Sequence, residues 1–221
     1  MKLLINALTK FICGFLIIAL LLFIPAGTLS FTDGWVLLAL LFIPIFIMGA
    51  FLLIKAPKLL EKRLESKENE DTQKGVVAFS GSVFLLGFIS AGLDFRFDIS
   101  NISRIIKIIA CLLFLFAYAL YAEVMRENAY LSRTIKVEKN QKVVSTGLYG
   151  IVRHPMYAST ILMFSMIPLI LGSWISFFIF LSYPAIIVIR IKNEEKVLTE
   201  QLVGYEDYKK TVKYRILPFV W

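Results

Sequence analysis

MYASTILMFSMIPLILGSWISFFIFLSYPAIIVI, residues 156–189, runs for 34 positions without a charged side chain. As a single helix it would extend about 51 Å at 1.5 Å per residue, too long for one crossing of roughly 30 Å of hydrocarbon. Gly172-Ser173 near its middle supplies a turn, so the stretch is predicted to be a helical hairpin. Each half is on the short side, which leaves a tilted or re-entrant pair open beside two full crossings.

Working outward, apolar stretches recur at 11–26, 35–54, 75–93 and 105–122, separated by short charged segments. Hydrophobic residues make up 58% of the chain and charged residues 18%, and the charges are clustered. A soluble domain would spread them along each helix to keep one face wet. Nothing alternates with the period of two that a membrane barrel requires, so helices remain the way to satisfy the backbone in lipid. The expected fold is all-α: a polytopic integral membrane protein with about six transmembrane helices, the last two a hairpin, and a cytoplasmic C-terminal segment. Residues 1–221 form one domain in this reading. Four N-terminal spans occupy 1–122, and 123–221 carry a loop, the hairpin and a tail. Pro25, Pro44, Pro168 and Pro184 lie in or near spans and read as kinks.

The net charge of +8 is a sign of topology rather than of nucleic-acid binding. Every Lys and Arg except Arg96, Arg104 and Lys107 falls in the N-terminal segment, the 55–74 loop, the 123–155 loop or the tail from Arg190 onward. The positive-inside bias puts these segments, and both termini, in the cytoplasm, with anionic lipid headgroups as partners. The basic start and apolar core of the first segment mimic a signal peptide. The charge distribution closes only if that segment is kept as a helix. Cys13 and Cys111 fall in spans and read as packed thiols; with 97 residues between them they have no metal-binding spacing.

Three clusters depart from simple packing. From Val143 the chain reads VVSTGLYGIVRHPMYAS and passes directly into the hairpin. Gly147 and Gly150 permit turns, the residue before Pro155 avoids the helical region, and Pro155 suits a first helical turn. Arg153 and His154 therefore sit at a helix N-terminus, a place that favours anionic groups. For His154, the chain's single histidine, a ligand contact and a structural capping role both stay open. The second cluster, Arg190-Ile191-Lys192-Asn193-Glu194-Glu195, lies at the exit of the last span. Arg190 and Glu194, four apart, share a helix face and are either an interfacial ion pair or site residues. The third is the tail, LVGYEDYKKTVKYRILPFVW, an interfacial aromatic belt or a lid. By contrast, EKRLESKENEDTQK at 61–74 reads as a solvated connector. Basic, acidic and aromatic groups thus gather at one mouth, which suits a zwitterionic cofactor entering from water and an acceptor entering from lipid.

GLYGIVRHPMY, then RIKNEEKVL and GYEDYKKTVKYRILPFVW across the hairpin, resembles the bacterial branch of the isoprenylcysteine carboxyl methyltransferase family. APKLLEKRL, AGLDFRFDIS and ENAYLSRTIKVEKNQKVVSTG are similar to the same branch, so the resemblance runs from about Pro57 to Trp221. The combination is specific, although the RHPxY element alone is shared with phospholipid methyltransferases and membrane sterol reductases. The resemblance implies S-adenosylmethionine-dependent methyl transfer to a lipophilic acceptor in the bacterial cytoplasmic membrane, without metal and without a dinucleotide-binding domain. It implies cofactor contacts from Gln141, Lys142, Val143, Val144, Tyr149, His154, Pro155, Met156 and Tyr157, and from the acids Glu194 and Glu195. It gives Arg190 and Glu194 the catalytic roles, with Arg190 facing the acceptor. Gln141 stands where the family often has histidine, which suits a contact made through the backbone. A sterol-type NADPH-dependent reductase is the rival enzyme, but those tend to carry Arg-Asp where this chain has Glu194-Glu195. A transporter or scaffold would be expected to have charged or broken segments at mid-membrane, whereas the charges here gather at one interface.

Overall fold

The computed structural model describes residues 1–65, 71–132, 134 and 137–221. All regular structure among them is helical: α1 (Lys2–Ala26), α2 (Thr32–Lys55), α3 (Pro57–Leu64), α4 (Asp71–Phe97), α5 (Arg104–Glu127), α6 (Pro155–Ile170), α7 (Trp174–Phe180), α8 (Ser182–Gln201) and α9 (Tyr205–Thr211), with a 3-10 turn at Gly147–Gly150. Five segments are long and apolar enough to cross a membrane: α1, α2, α4, α5 and the 28 residues of Trp174–Gln201. Large apolar side chains such as Ile24, Ile54, Ile105 and Phe178 face outward, as lipid-exposed helices require. The chain is a polytopic helical membrane protein.

Gly172-Ser173 forms the hairpin turn, as the sequence predicts. Gly172 has φ +78°, and a Cβ there would lie 2.8 Å from Lys107 Nζ. With 16 residues, α6 is the short limb, about 24 Å against roughly 30 Å of hydrocarbon. Polar ties hold its tip. Ser173 Oγ donates to Asp94 Oδ2 at 2.5 Å and accepts from Ser176 N at 3.0 Å, capping α7. Asp94, only 3% exposed, also accepts from Ser100 N and Ser100 Oγ, each at 2.7 Å. Lys107 pairs with Asp33 at 2.5 Å beside the turn. The other limb is not one continuous helix. It breaks at Leu181, and Pro184 in the first turn of α8 has no amide hydrogen to continue the ladder. Pro25, Pro44 and Pro168 lie inside α1, α2 and α6.

Small residues let α4 serve as the packing centre. A Cβ at Gly92 would come within 2.5 Å of Leu22 O on α1, and one at Gly87 within 2.3 Å of Phe180 Cε2 on α7. Close backbone approach of this kind is how helices associate where lipid removes the hydrophobic drive.

The two ends of the bundle differ in kind. The start of α1, the end of α2, α3, the end of α5 and the start of α6 share one end, packed through Leu3, Leu52, Leu59, Leu60, Val124 and Tyr149. Arg96 beside Gly27, Arg104 at the start of α5, and Lys107 on Asp33 mark the other. Among the described residues this matches the charge asymmetry of the sequence; Lys67, Arg133 and Lys136 lie outside them.

Two expectations need correction. Glu61–Leu64 is not part of a loop: Pro57 at the helix start, buried Leu59 and Leu60, and Lys62 and Arg63 in the last turn make α3. α4 then starts at Asp71, and residues 66–70 of the expected connector lie outside the described residues. Cys13 is exposed on α1 rather than packed, while Cys111 is half-buried.

Asp94→Ala would leave Ser100 and Ser173 without their acceptor. It should lower stability by roughly 1–3 kcal/mol, read as a lower thermal midpoint of the detergent-solubilised protein. An unchanged midpoint would mean the tip needs no clasp.

Candidate active site

The site is assembled at the end shared by α3, α5 and α6. It begins at the C-terminus of α5, where Glu127 Oε2 accepts from Leu148 N at 3.0 Å and holds the start of the 3-10 turn. Gly147 has φ +53°, and any Cβ there would overlap the Glu127 carboxylate, so glycine is required. Asn128 Nδ2 then donates to Tyr149 Oη at 2.9 Å, and Tyr208 Oη donates to Tyr149 O at 2.7 Å. Tyr149 is fixed at both its hydroxyl and its backbone.

His154 and Pro155 open α6 as the sequence predicts. The tail folds back onto them. Arg153 N donates to Tyr214 O at 2.9 Å and His154 N to Arg215 O at 2.8 Å, while Arg153 Nη1 reaches Val212 O at 2.7 Å and Lys213 O at 2.8 Å. Glu195 joins these parts. Its Oε1 accepts from Arg153 Nε and Nη2 at 2.8 Å and lies 3.2 Å from His154 Nε2; its Oε2 accepts from Arg215 Nε and Nη2 at 2.9 Å. At 7% exposure a lone carboxylate would be costly, and this set of partners offsets the desolvation.

One residue earlier and about 100° around α8, Glu194 faces the cleft instead. Tyr157 Oη donates to Glu194 Oε2 at 2.5 Å, and Arg190 Nε donates to Tyr157 Oη at 2.9 Å. Arg190 and Glu194 do share a face, and Tyr157 stands as a bridge between them.

These groups line one cleft at this end of the bundle. Of the residues named from sequence, Gln141, Lys142, Val143, Val144, Tyr149, His154, Met156, Tyr157, Arg190 and Glu194 line it together. Pro155 and Glu195 do not: Pro155 is spent on starting α6, and Glu195 on its cationic partners. Gln141 Oε1 accepts from Glu138 N at 2.9 Å, so that side chain is turned to its own loop. The sequence reading did not name the wall after α5, which includes Asn128, Tyr130, Ser132 and Thr134, or Leu198, Leu202, Tyr205 and Tyr208 on the opposite side. The tail is a wall of the cleft, the lid-like alternative rather than a plain aromatic belt.

Burial pushes the phenols of Tyr149 and Tyr208 above their ordinary range, and burial with the nearby charges of Glu195 and Glu194 does the same for Tyr205. All three remain neutral hydroxyls at physiological pH. Tyr205 is 4% exposed and its Oη has no hydrogen-bond partner among the described residues. An orphaned buried donor in a cleft wall calls for a polar ligand group. With the Glu194 carboxylate, the Lys142 side chain and the start of α6 around the same space, the donor and acceptor set fits a zwitterionic molecule such as S-adenosylmethionine.

Glu195→Ala would strand Arg153 in a buried position. The expected loss is roughly 3 kcal/mol, with the tail becoming the first point of cleavage in limited proteolysis. A tail as resistant as in the parent protein would contradict the hub.

Residues 105–204 match the family model of the phospholipid methyltransferases, a stretch that runs from the first turn of α5 through the cleft loop, the hairpin and α8. That stretch is therefore a phospholipid methyltransferase domain, of the integral-membrane methyltransferase family that includes the isoprenylcysteine carboxyl methyltransferases.

Proposed function

We propose that this membrane methyltransferase uses S-adenosylmethionine to methylate a carboxylate on a lipophilic acceptor, as protein-S-isoprenylcysteine O-methyltransferases do. The acceptor arrives from the bilayer and the cleft faces the cytoplasm. The observation that carries the reading is the Arg190–Tyr157–Glu194 chain, which sets a cation and an anion at fixed separation on one cleft wall.

S-adenosylmethionine, when bound, supplies an electrophilic methyl on a sulfonium, and its transfer is an in-line displacement that depends on alignment and a dry site. Glu194 is suited to its ammonium, the Tyr205 hydroxyl and the Lys142 side chain to its anionic end, and Tyr149, Val143 and Val144 to its less polar body. Arg190 orients the acceptor carboxylate through its planar fork. Tyr157 keeps the two side chains in register.

Proton accounting supports a carboxylate acceptor. Glu194 is the only carboxylate among the described residues of the cleft lining, and it already takes the Tyr157 hydroxyl. Glu195 is turned away onto cations, and His154 directs Nε2 to it. A carboxylate acceptor is nucleophilic at neutral pH without a base, whereas a thiol or an amine would have to give up a proton first. The family match also favours methyl transfer over the reductase reading.

Two variants test the division of labour. Glu194→Ala should weaken binding of S-adenosylmethionine or its demethylated product by about tenfold or more in calorimetry. Arg190→Ala should spare that binding and lower turnover by about a hundredfold. Binding of NADPH with no binding of either sulfur compound would reject the proposal. Loss of cofactor affinity in Arg190→Ala would reassign that arginine to the support of Glu194.

A further inference from the structure

Helix α3 lies outside the family-matched residues, yet its last turn grips a cleft wall. Arg63 Nη1 donates to Ser132 O at 3.1 Å and lies 3.9 Å from Met156 Sδ. The same guanidinium donates to Tyr121 Oη and stacks 5.4 Å from that ring's centre. Beside it, Lys62 Nζ donates to Ala129 O at 3.1 Å and pairs with Glu138 at 2.7 Å. Ser132 and Met156 line the cleft, as do Tyr130 and Thr134. α3 is itself anchored. Lys10 of α1 donates to Leu64 O, and Leu59 and Leu60 are buried against Leu52 and Val124.

Among the described residues of this wall the bonds include Leu131 N to Asn128 O at 3.2 Å, Tyr130 N to Asn128 Oδ1 at 2.9 Å, Thr134 N to Ser132 Oγ at 3.2 Å and a contact of 3.2 Å between the Ser132 and Thr134 hydroxyls. Residues 128–132 and 134 lie outside any helix or strand, and charged donors from α3 reach the Ala129 and Ser132 carbonyls. One planar guanidinium reaches the loop, α5 and α6 at once, which a single ammonium cannot.

We infer that Arg63, assisted by Lys62, is a positioning residue for the cleft: it fixes the wall after α5 against Met156 and so sets the shape in which the cofactor is received. The N-terminal half is thus part of the site and not only its membrane anchor. This rests on the cofactor reading above.

The test compares the full chain with Arg63→Ala and Arg63→Lys in detergent, with two readouts. Hydrogen exchange of the peptide spanning 128–132, without ligand, should speed up in Arg63→Ala while the 202–216 tail stays unchanged. The Kd for S-adenosylmethionine should rise about tenfold, with kcat at saturating cofactor within about twofold of the parent and Arg63→Lys in between. Unchanged exchange at 128–132 overturns the inference. So does a lowered thermal midpoint with unchanged Kd, which would make Arg63 a stabilising residue only. If the parent protein binds no S-adenosylmethionine, the functional reading fails, and the exchange readout alone decides whether Arg63 shapes the wall.

Discussion

One buried carboxylate organises the functional end of this protein. Glu195 lies where α8, the start of α6 and the returning tail meet, and it takes paired bonds from two guanidinium groups and a third contact from an imidazole. Burying such charges is unfavourable unless every partner is placed well. The geometry here meets that condition, and its consequence is spatial: the tail is drawn back onto the start of α6, and Tyr205 and Tyr208 become cleft wall instead of solvent-exposed aromatics. Two adjacent acids then divide the work. A helix turns about 100° per residue, so Glu195 faces the hub while Glu194 faces the cleft.

The bilayer explains why the polar chemistry sits at the two ends of the bundle. Between them, side chains are mostly apolar and α4 packs through glycines against α1 and α7. At the far end, Asp94 and the Lys107–Asp33 pair hold the hairpin tip that the short α6 leaves inside the span of its neighbours. At the near end His154 and Tyr157 stand level with Arg190, Glu194 and Glu195 of α8. A longer α6 would displace the histidine-proline start from Glu195. The far clasp and the near cleft are two consequences of one short helix.

Much of this was legible in the sequence. The hairpin turn at Gly172-Ser173, the helix start at His154-Pro155 and half of the cleft lining could be read because each is local: a turn residue, a proline, a motif. What stayed hidden was long-range or depended on helical phase. The neighbouring acids Glu194 and Glu195 look alike in sequence, and only their angular positions on α8 separate a cleft wall from a hub. Arg63 and Ser132 lie 69 positions apart, and no spacing rule joins them, so the mixed charges around Arg63 read as a connector. Glu127 and Asn128 fell within the 123–155 loop; their role appears only once Gly147 and Tyr149 are folded against them.

The central claim is that this cleft passes a methyl group to a carboxylate carried by a lipophilic molecule. Membranes containing the protein, incubated with S-adenosylmethionine labelled in the methyl group, test it most directly. The account predicts label in the organic-extractable fraction that mild alkali releases as volatile methanol, the mark of a methyl ester. Label that resists alkali, and so resides on nitrogen, sulfur or carbon, would contradict it.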